Sequence, residues 1–314
     1  METFLIPIDY TDKSLKALEV AFSLASRIEA QLLLCHVFQP PVITGDENEP
    51  EFALPAYETK KHAVQQLRKY VNMVKSNAPT AVPLKFTTKA GDVVEELLDL
   101  VRARNVSMVV MGTGGSNSYM ARVFGTTSEE LVRHAPCPVL VVPKSAELGA
   151  ISHIVYASAL RPSDTEAVFV MAKLKKLFHA SLSLLYVERK GQESRINVAV
   201  LKNYLLHNFD EDEVAYTMIE GKSVVDGIEH YVKTRDCDLV AFTVSDHALW
   251  KDLFHSSVTS RLLHTLNIPM LALPKHGKAT ALAHMQEKAG QQMDSVHPAR
   301  RYKKGKQSPV KLQN

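Results

Sequence analysis

The sequence predicts an α/β protein built from two similar, consecutive domains, each a parallel sheet with helices on both faces. Short apolar segments alternate with amphipathic helical segments along the chain, and the whole series occurs twice. Strands that alternate with helices of this length require crossover connections, which produce parallel sheets. With 314 residues, 46% of them hydrophobic and 23% charged, the chain is long enough for two ordinary domains.

The first series begins with an apolar strand over residues 4–8, and Thr11 or Asp12 is expected to cap the helix that follows. That helix carries apolar residues three and four positions apart, from Leu15 to Ala25. The next segments are, in order, strand QLLLCHV ending at Val37, a polar loop, a helix with Val64, Leu67, Val71 and Val74 facing inward, strand LKFTT, helix VVEELLDLVRA, strand SMVVM, a short helix after Thr127, and strand VLVV.

The second series begins at Ile151 and repeats the same order, with a helix expected from Asp164 to Phe178. Its other segments are strand HIVYASA, strand SLSLLYV, helix LKNYLLHNF, strand VAYTMI, helix VVDGIEHYVKT, strand DLVAF, helix RLLHTL and strand MLALP. Self-similarity of this kind indicates an internal repeat. We therefore expect domains over residues 1–146 and 150–275, followed by a tail over residues 276–314.

The basic character of the chain resides in its tail. From Lys275 onward there are nine lysines and arginines against two acidic residues, so this part carries +7 and the first 274 residues carry −4 of the net +3. A folded part with a negative charge argues against nucleic-acid binding, which relies on cationic side chains. The tail has too few apolar residues to offset the entropy of ordering, so we expect it to be disordered.

Composition and motifs also exclude several function classes. The N-terminus lacks a basic region followed by a long apolar run, and no segment approaches the roughly 20 apolar residues of a membrane span, so we expect a cytoplasmic protein without a membrane partner. Three isolated cysteines do not have the spacing of a metal or redox site. The chain has no P-loop, kinase signature or nucleophile elbow, so no catalytic residue and no metal ligand is predicted.

A glycine motif follows the strand SMVVM. The chain reads Met111-Gly112-Thr113-Gly114-Gly115-Ser116 and, with nine residues between Gly115 and Gly125, Gly125-Thr126-Thr127. Glycines permit close approach of the backbone to a ligand, and free N–H groups at the start of a helix favour an anion. The motif therefore predicts a phosphate cradle at the carboxyl edge of the sheet, where open α/β folds bind ligands. The alternative, that these glycines only form a tight turn between strand and helix, stays open at this point.

Both halves of the sequence resemble the universal stress protein family, and the first resembles its ATP-binding subgroup. The resemblance spans roughly residues 1–145 and 151–275 and is carried by Pro7-Ile8-Asp9, the glycine motif and the segment HAPCPVLVVP. It implies two Rossmann-like domains of the adenine-nucleotide α-hydrolase type, each with five parallel strands and about four helices. It also implies that the first binds ATP, with an accompanying Mg²⁺ left open.

The resemblance extends to individual residues. Asp9, with Pro7 before it, is expected to contact the nucleoside, and the backbone of Val37 is expected to contact adenine. The ribose is expected beside Met111 and Gly112, and the phosphates at Gly115, Gly125, Thr126 and Thr127. Asp9 has an alternative as a turn residue before the first helix, but because Thr11 and Asp12 already offer caps, the binding interpretation is favoured.

The second half has lost this pattern. When the closing strands are aligned, Thr243 stands against Gly112, Asp246 against Gly115 and Ser256 against Gly125. Ala159 is the counterpart of Asp9. A carboxylate where a phosphate should lie is repulsive, and side chains block close approach of the backbone. We therefore expect no ATP binding by the second half.

Two functions are consistent with the sequence. The first is a nucleotide-dependent stress-response protein with at most slow ATP hydrolysis or autophosphorylation. The second is a nucleotide-free interaction scaffold whose basic tail docks on an acidic protein partner of unknown identity or on nucleic acid. The resemblance also implies that strands VLVV and MLAL lie side by side, as in a dimer formed within one chain; association of two chains as a homodimer is left open.

Overall fold

The computed structural model describes residues 1–39, 56–77, 81–113, 126–146, 151–160, 164–189, 214–244 and 268–274. Its strands are β1 (Thr3–Pro7), β2 (Gln31–Phe38), β3 (Leu84–Ala90), β4 (Met108–Thr113), β5 (Val139–Pro143), β6 (His153–Ala157), β7 (Ser181–Arg189), β8 (Ala215–Gly221), β9 (Leu239–Thr243) and β10 (Met270–Leu273). The helices within the described ranges are α1 (Asp12–Ile28), α2 (Ala56–Asn77), α3 (Val93–Ala103), α4 (Thr126–His134), α5 (Asp164–Phe178) and α6 (Val224–Arg235).

The strands form a single sheet of ten, in the order β3-β2-β1-β4-β5-β10-β9-β6-β7-β8. The order of the first five strands is therefore repeated, in mirror sequence, by the last five. Every neighbouring pair is parallel except β5 and β10, which are antiparallel. The predicted α/β class with parallel strands is confirmed, and the two halves join into one continuous sheet.

The junction between the halves is the β5–β10 pair, referred to below as the seam. Leu140 lies opposite Leu271, and Val139 lies opposite Ala272. These are the closing strands VLVV and MLAL of the two series, which are neighbours as the resemblance implies. Pairing covers the edge that each half of the sheet would otherwise expose, and exposed edges invite aggregation.

Helices cover both faces of the sheet because its central strands are apolar on both sides. In β1, Phe4 and Ile6 pack with α1, while Leu5 packs on the opposite face with α3. The first face is covered by α1, α2 and α5, and the second by α3, α4 and α6. The helices therefore cover both faces of the sheet and leave uncovered the two edges at which its strands begin and end.

Most predicted elements are confirmed, with small differences at particular residues. Helix α5 has the predicted bounds, and Thr11 is the N-cap residue of α1. Helix α2 buries Ala63 rather than the predicted Val64, which is only partly covered. The helices expected at LKNYLLHNF and RLLHTL, and the tail, lie outside the described residues.

The amino ends of the strands are joined by side-chain hydrogen bonds. In the second half the Oδ2 atom of Asp238 accepts hydrogen bonds from the backbone N–H of Ser152 (2.7 Å), the hydroxyl of Ser152 (2.7 Å) and the backbone N–H of His153 (2.9 Å). In the first half, at the equivalent place, the hydroxyl of Ser107 accepts a bond from the backbone N–H of Thr3 at 3.3 Å. Each half thus fixes the start of its first strand from the strand beside it.

Among the residues that the structure describes, no helix combines the length and apolar character needed to cross a bilayer.

Candidate functional site

The carboxyl edge of the first half brings together the predicted site residues on β1, β2 and β4. Pro7 is the last residue of β1 and pairs with Cys35, two residues before Val37 in β2. Met111 and Gly112 lie near the end of β4, the other neighbour of β1. Because parallel strands end at the same edge, Asp9 follows β1 directly into this region.

Of the remaining residues of the predicted phosphate cradle, the structure describes only those at the start of α4. Gly115 and Gly125 lie outside the described residues. Thr126 and Thr127 are the first two residues of α4, so they open the helix rather than precede it. Their backbone N–H groups are therefore among those that a helix leaves without partners in its first turn.

Gly112 has a structural reason to be glycine. It lies within β4 rather than in the loop after it. A Cβ atom built on Gly112 would lie 2.3 Å from the carbonyl oxygen and 2.5 Å from the carbonyl carbon of Lys13, in the first turn of α1. Real Cβ atoms do not approach backbone so closely, so β4 and α1 could not pack this way with any other residue. The close contact is between strand and helix, and it needs no ligand.

Asp9 forms the turn that leads from β1 into α1. Its Oδ1 atom accepts hydrogen bonds from the backbone N–H of Thr11 at 3.0 Å and from the hydroxyl of Thr11 at 2.6 Å. The Thr11 hydroxyl is thereby directed to Asp9, and the Thr11 side chain makes no capping bond to α1. The turn interpretation of Asp9 is thus observed, while its carboxylate is still exposed at this edge of the sheet.

The hydrogen bonds at Asp9 also favour its ionised form. Burial alone would raise the pKa of Asp9, but bonds from the side chains of Thr11 and Ser14 and from the backbone of Thr11 together outweigh it and lower the pKa. The carboxylate is therefore charged at neutral pH and is an acceptor only.

Tyr10 continues this turn in an unusual conformation that sequence reasoning missed. Its φ angle is 63°, in the left-handed region that bulky residues rarely occupy. Its ring lies 4.6 Å from the ring of His36 and 5.5 Å from that of Tyr70, centroid to centroid. His36 is fixed in turn by a 2.8 Å hydrogen bond between its Nδ1 atom and the carbonyl oxygen of Ile8. Burial, followed by the proximity of Tyr70, raises the pKa of Tyr10 to about 12.

An exposed ion pair lies next to the turn. The ammonium group of Lys144, the residue after β5, lies 2.7 Å from a carboxylate oxygen of Asp12 in the first turn of α1. Its hydrogen bond and its charge lower the pKa of Asp12. Within the described ranges, no three histidine, cysteine or carboxylate side chains are grouped as a metal site requires.

The equivalent edge of the second half has the same backbone path with different side chains. Leu160, three residues after β6 as Tyr10 is after β1, also has a positive φ of 51° and is fully buried. Ala159 stands where Asp9 stands in the first half. The carboxylate that accepts hydrogen bonds in this turn belongs instead to Asp164, the first residue of α5. Its Oδ2 atom accepts bonds from the hydroxyl of Ser158 at 2.6 Å and from the backbone N–H of Ala159 at 3.1 Å.

A buried hydroxyl pair fills the space beside this turn. Thr243, the fifth residue of β9 as Gly112 is of β4, has its hydroxyl 2.8 Å from that of Tyr156. Burial, followed by the charge of Asp164, raises the pKa of Tyr156 well above its usual value, against a smaller opposing effect of Thr243. The second half therefore carries a hydroxyl side chain at the position where, in the first half, Gly112 lets β4 pack directly against the backbone of Lys13.

Comparison with known proteins places the first half in a family. The model of the universal stress protein family matches residues 1–143, which therefore form a domain of that family. The universal stress protein YxiE of Bacillus subtilis is 28% identical over 145 residues, 44% of this chain and 96% of that protein. The universal stress protein MJ0531 of Methanocaldococcus jannaschii is 26% identical over 140 residues, 45% of this chain and 81% of that protein.

A solved structure is similar over most of the chain. It is a universal stress protein from Archaeoglobus fulgidus, with a TM-score of 0.66, 13% identity, and coverage of 87% of this chain and 98% of that one. At this identity the similarity shows the fold alone, and it extends the likeness in fold beyond the 143 residues of the family match.

Proposed function

We propose that the first half of this protein, which carries the universal stress protein domain, binds ATP at the carboxyl edge of β1, β2 and β4. The observation that carries the proposal is the convergence of Asp9, Val37 and Gly112 on one edge of the sheet. The glycine motif continues from Gly112 toward the start of α4. On this proposal Asp9 and Val37 contact the nucleoside, and the start of α4 faces the phosphates.

In this function the protein is a nucleotide-dependent regulator of the stress response in the cytoplasm. The site contains Asp9 and the Lys144–Asp12 pair, and the hydroxyl that lies beside a carboxylate here, that of Thr11 at 2.6 Å from Asp9, forms part of the turn into α1. Binding is thus the expected activity, with hydrolysis slow at most. An occupied site would act on the protein through α1, because the turn at Asp9 leads into this helix and Gly112 contacts the backbone of Lys13 in its first turn.

The second half supports the first without binding nucleotide itself. On this proposal it is a universal-stress-protein-like domain whose site is closed. Three buried residues support that conclusion: Leu160, Thr243 and Asp164 are at most 7% exposed and occupy the positions around its turn. Because these side chains are buried, they could contact a nucleotide only if the core around them rearranged.

The experiment is isothermal titration calorimetry with ATP and Mg²⁺ on the full chain. We expect one site per chain in the wild type. In Gly115→Asp, which places a carboxylate where a phosphate is expected, we expect no binding heat. The matched control is Asp246→Gly, the reverse change in the second half, which we expect to leave one site per chain because Thr243 and Leu160 still fill that edge. Equal heats from wild type and Gly115→Asp would contradict the proposal.

The scaffold function remains the second candidate, and the seam favours it. The pairing of β5 with β10 makes the two halves one sheet within a single chain, so their association requires no second chain. On this candidate the basic tail docks on an acidic partner. Removal of residues 276–314 should then weaken partner capture and reduce its dependence on salt, because fewer counterions are released. A truncated chain that captures the same partners with the same salt dependence would contradict this candidate.

A further inference from the structure

Lys144 lies at the carboxyl edge of the first half, directly after β5. The residue before it, Pro143, pairs with Thr113 at the end of β4. The backbone N–H of Ala146 donates a 3.0 Å hydrogen bond to the carbonyl oxygen of Pro143, and Ala146 is fully buried. The turn that carries Lys144 is thus held on both sides, whereas the Lys144 side chain is 57% exposed. Its ammonium group can therefore change partners while the backbone stays in place.

The partner of Lys144 in the structure is Asp12, and the two charged groups lie 2.7 Å apart. Asp12 is the first residue of α1, and Lys13 beside it contacts Gly112 through its backbone. The ion pair therefore joins the end of β5 to the start of α1, next to the strand from which the glycine motif begins. An ion pair as exposed as this one contributes little to stability, so a stronger anion would replace Asp12 at low cost.

Two carboxylates at this edge would oppose the approach of a phosphate. Asp9 is exposed and charged at neutral pH, and Asp12 lies three residues later. The ammonium group of Lys144 offsets this repulsion and can donate hydrogen bonds to a phosphate oxygen. Helix α4 connects the parallel strands β4 and β5, so it begins at the edge of the sheet where β5 ends. Lys144 therefore lies at the same edge as the helix start that is proposed to face the phosphates.

The sequence carries both members of this pair only in the first half. When the first strands are aligned so that Ala159 matches Asp9, Pro162 stands where Asp12 stands. The alignment of the closing strands places Lys275 against Lys144. The second half thus keeps the lysine in its sequence but lacks the carboxylate, so the complete pair accompanies the glycine motif.

We propose that Lys144 leaves Asp12 and binds the phosphates of the nucleotide. This inference rests on the proposed function, because it assigns a further residue to the same site. Lys144 then determines which adenine compounds bind tightly: a nucleoside triphosphate gains the contact, and a nucleoside without phosphate does not. The exchange of partners also leaves Asp12 without its cation, so occupancy of the site changes the charge at the start of α1.

The first test compares the binding of ATP and adenosine to the full chain by calorimetry in the presence of Mg²⁺. Lys144→Gln should weaken ATP about fivefold, the upper end of the range for an exposed charge pair, and adenosine less than twofold. Lys144→Arg keeps the charge and should retain most of the ATP affinity. The matched control is Lys233→Gln, which removes an equal charge from a lysine that is 53% exposed and paired with Glu229. It should change neither affinity.

The second test is a double-mutant cycle with Asp12→Asn, which distinguishes a phosphate contact from simple neutralisation of Asp12. If Asp12 competes with the phosphates for Lys144, Asp12→Asn should strengthen ATP about threefold in the wild type and by less in Lys144→Gln. If Lys144 only neutralises Asp12, the order is reversed, because Asp12 repels phosphate most strongly when the lysine is gone. The reversed order would overturn the proposal.

Failure of this inference and failure of the proposed function give different results. If ATP does not bind the wild type, both are wrong. If ATP binds the wild type and Lys144→Gln equally well, or if the substitution weakens ATP and adenosine by the same factor, only the role of Lys144 is wrong and the ATP site stands. Melting temperatures of all variants without nucleotide show whether a loss of affinity reflects a loss of folded protein.

Discussion

Gly112 and the carbonyl group of Lys13 are in direct contact: a Cβ atom at position 112 would lie 2.3 Å from the Lys13 oxygen. Strand β4 and the first turn of α1 therefore meet backbone to backbone. The turn at Asp9 lies between β1 and this same helix start. Gly112, which the sequence predicts to lie close to a ligand, thus also fixes the position of α1 beside the proposed site.

Gly112→Ala should destabilise the protein in the absence of nucleotide. The added methyl group must displace the start of α1, and overpacking of this kind costs about 1–3 kcal/mol. Urea unfolding with and without ATP measures the effect. Thr88→Ala, on the edge strand β3, is a control that should change stability by about 0.5 kcal/mol or less. Unchanged stability of Gly112→Ala would show that α1 can move away freely.

Substitutions of Asp9 distinguish the effect of its hydrogen bonds to Thr11 in the turn from the effect of its negative charge. Asp9→Asn retains an Oδ1 acceptor for Thr11 and should cost little stability, whereas Asp9→Ala removes both bonds and should cost about 1 kcal/mol. If the carboxylate contacts the nucleoside, both variants should weaken ATP binding, and Asn should do so without a change in melting temperature. Calorimetry and thermal unfolding on the same samples distinguish the two effects. If ATP affinity falls only in the variant whose stability falls, Asp9 acts through the turn and does not contact the nucleoside.

The sequence predicts the elements of this fold better than their contacts. Periodicity locates α5 at its observed bounds, and the apolar strands alternate with helices as expected. It does not predict that Gly112 meets Lys13, because these residues are distant in the chain. Nor does it predict the positive φ of Tyr10 and Leu160, because neither residue type favours that conformation. Both angles depend on packing around the turn rather than on local propensity.

The Tyr156–Thr243 pair in the second half should behave as a coupled unit. Tyr156→Phe leaves the Thr243 hydroxyl buried without this bond and should cost about 1–3 kcal/mol. Thr243→Val should cost a similar amount. The double variant should cost less than the sum, because two apolar groups then replace two hydroxyls. A double-mutant cycle by urea unfolding checks this, and strict additivity would show that the 2.8 Å contact contributes nothing.

Asp238 should make stability depend on pH in the acidic range. Burial alone would raise its pKa, but hydrogen bonds from Ser152 and His153 outweigh it, so the folded pKa is below the ordinary value of 3.8. Its contribution is therefore complete above about pH 4 and is lost as the pH falls through the lowered pKa. Asp238→Asn should cost about 1 kcal/mol at pH 7 and flatten the acid limb of stability against pH.

The control for this measurement is Asp236→Asn. Asp236 caps α6 in the left-handed conformation with φ of 46°, which asparagine tolerates well. This substitution should leave the stability at pH 7 within about 0.5 kcal/mol of the wild type. A wild-type acid limb retained in Asp238→Asn would assign the acid sensitivity to other carboxylates.

The sequence predicts only part of the candidate site, and the reason that the rest is not predicted is physical. Pro7 and Val37 lie at the same edge of the sheet, as the alternation of strands and helices predicts, because parallel strands end together. The capping of α1 differs because the Thr11 hydroxyl has two competing partners, the helix N–H groups and Asp9, and sequence does not decide between them. In the second half, the sequence shows that Thr243 replaces a glycine, but it does not predict the hydrogen bonds from Ser158 and Ala159 to the carboxylate of Asp164.

The seam has a consequence for how the two halves can differ. Because β5 and β10 belong to one chain, their pairing does not depend on protein concentration, unlike the pairing of two separate chains. A homodimer must carry every substitution twice, on both sides of its axis. Here each side is encoded separately, so Gly112 can stay glycine while its counterpart becomes Thr243. Covalent linkage thus releases one half from the constraints of the other while their shared sheet is preserved.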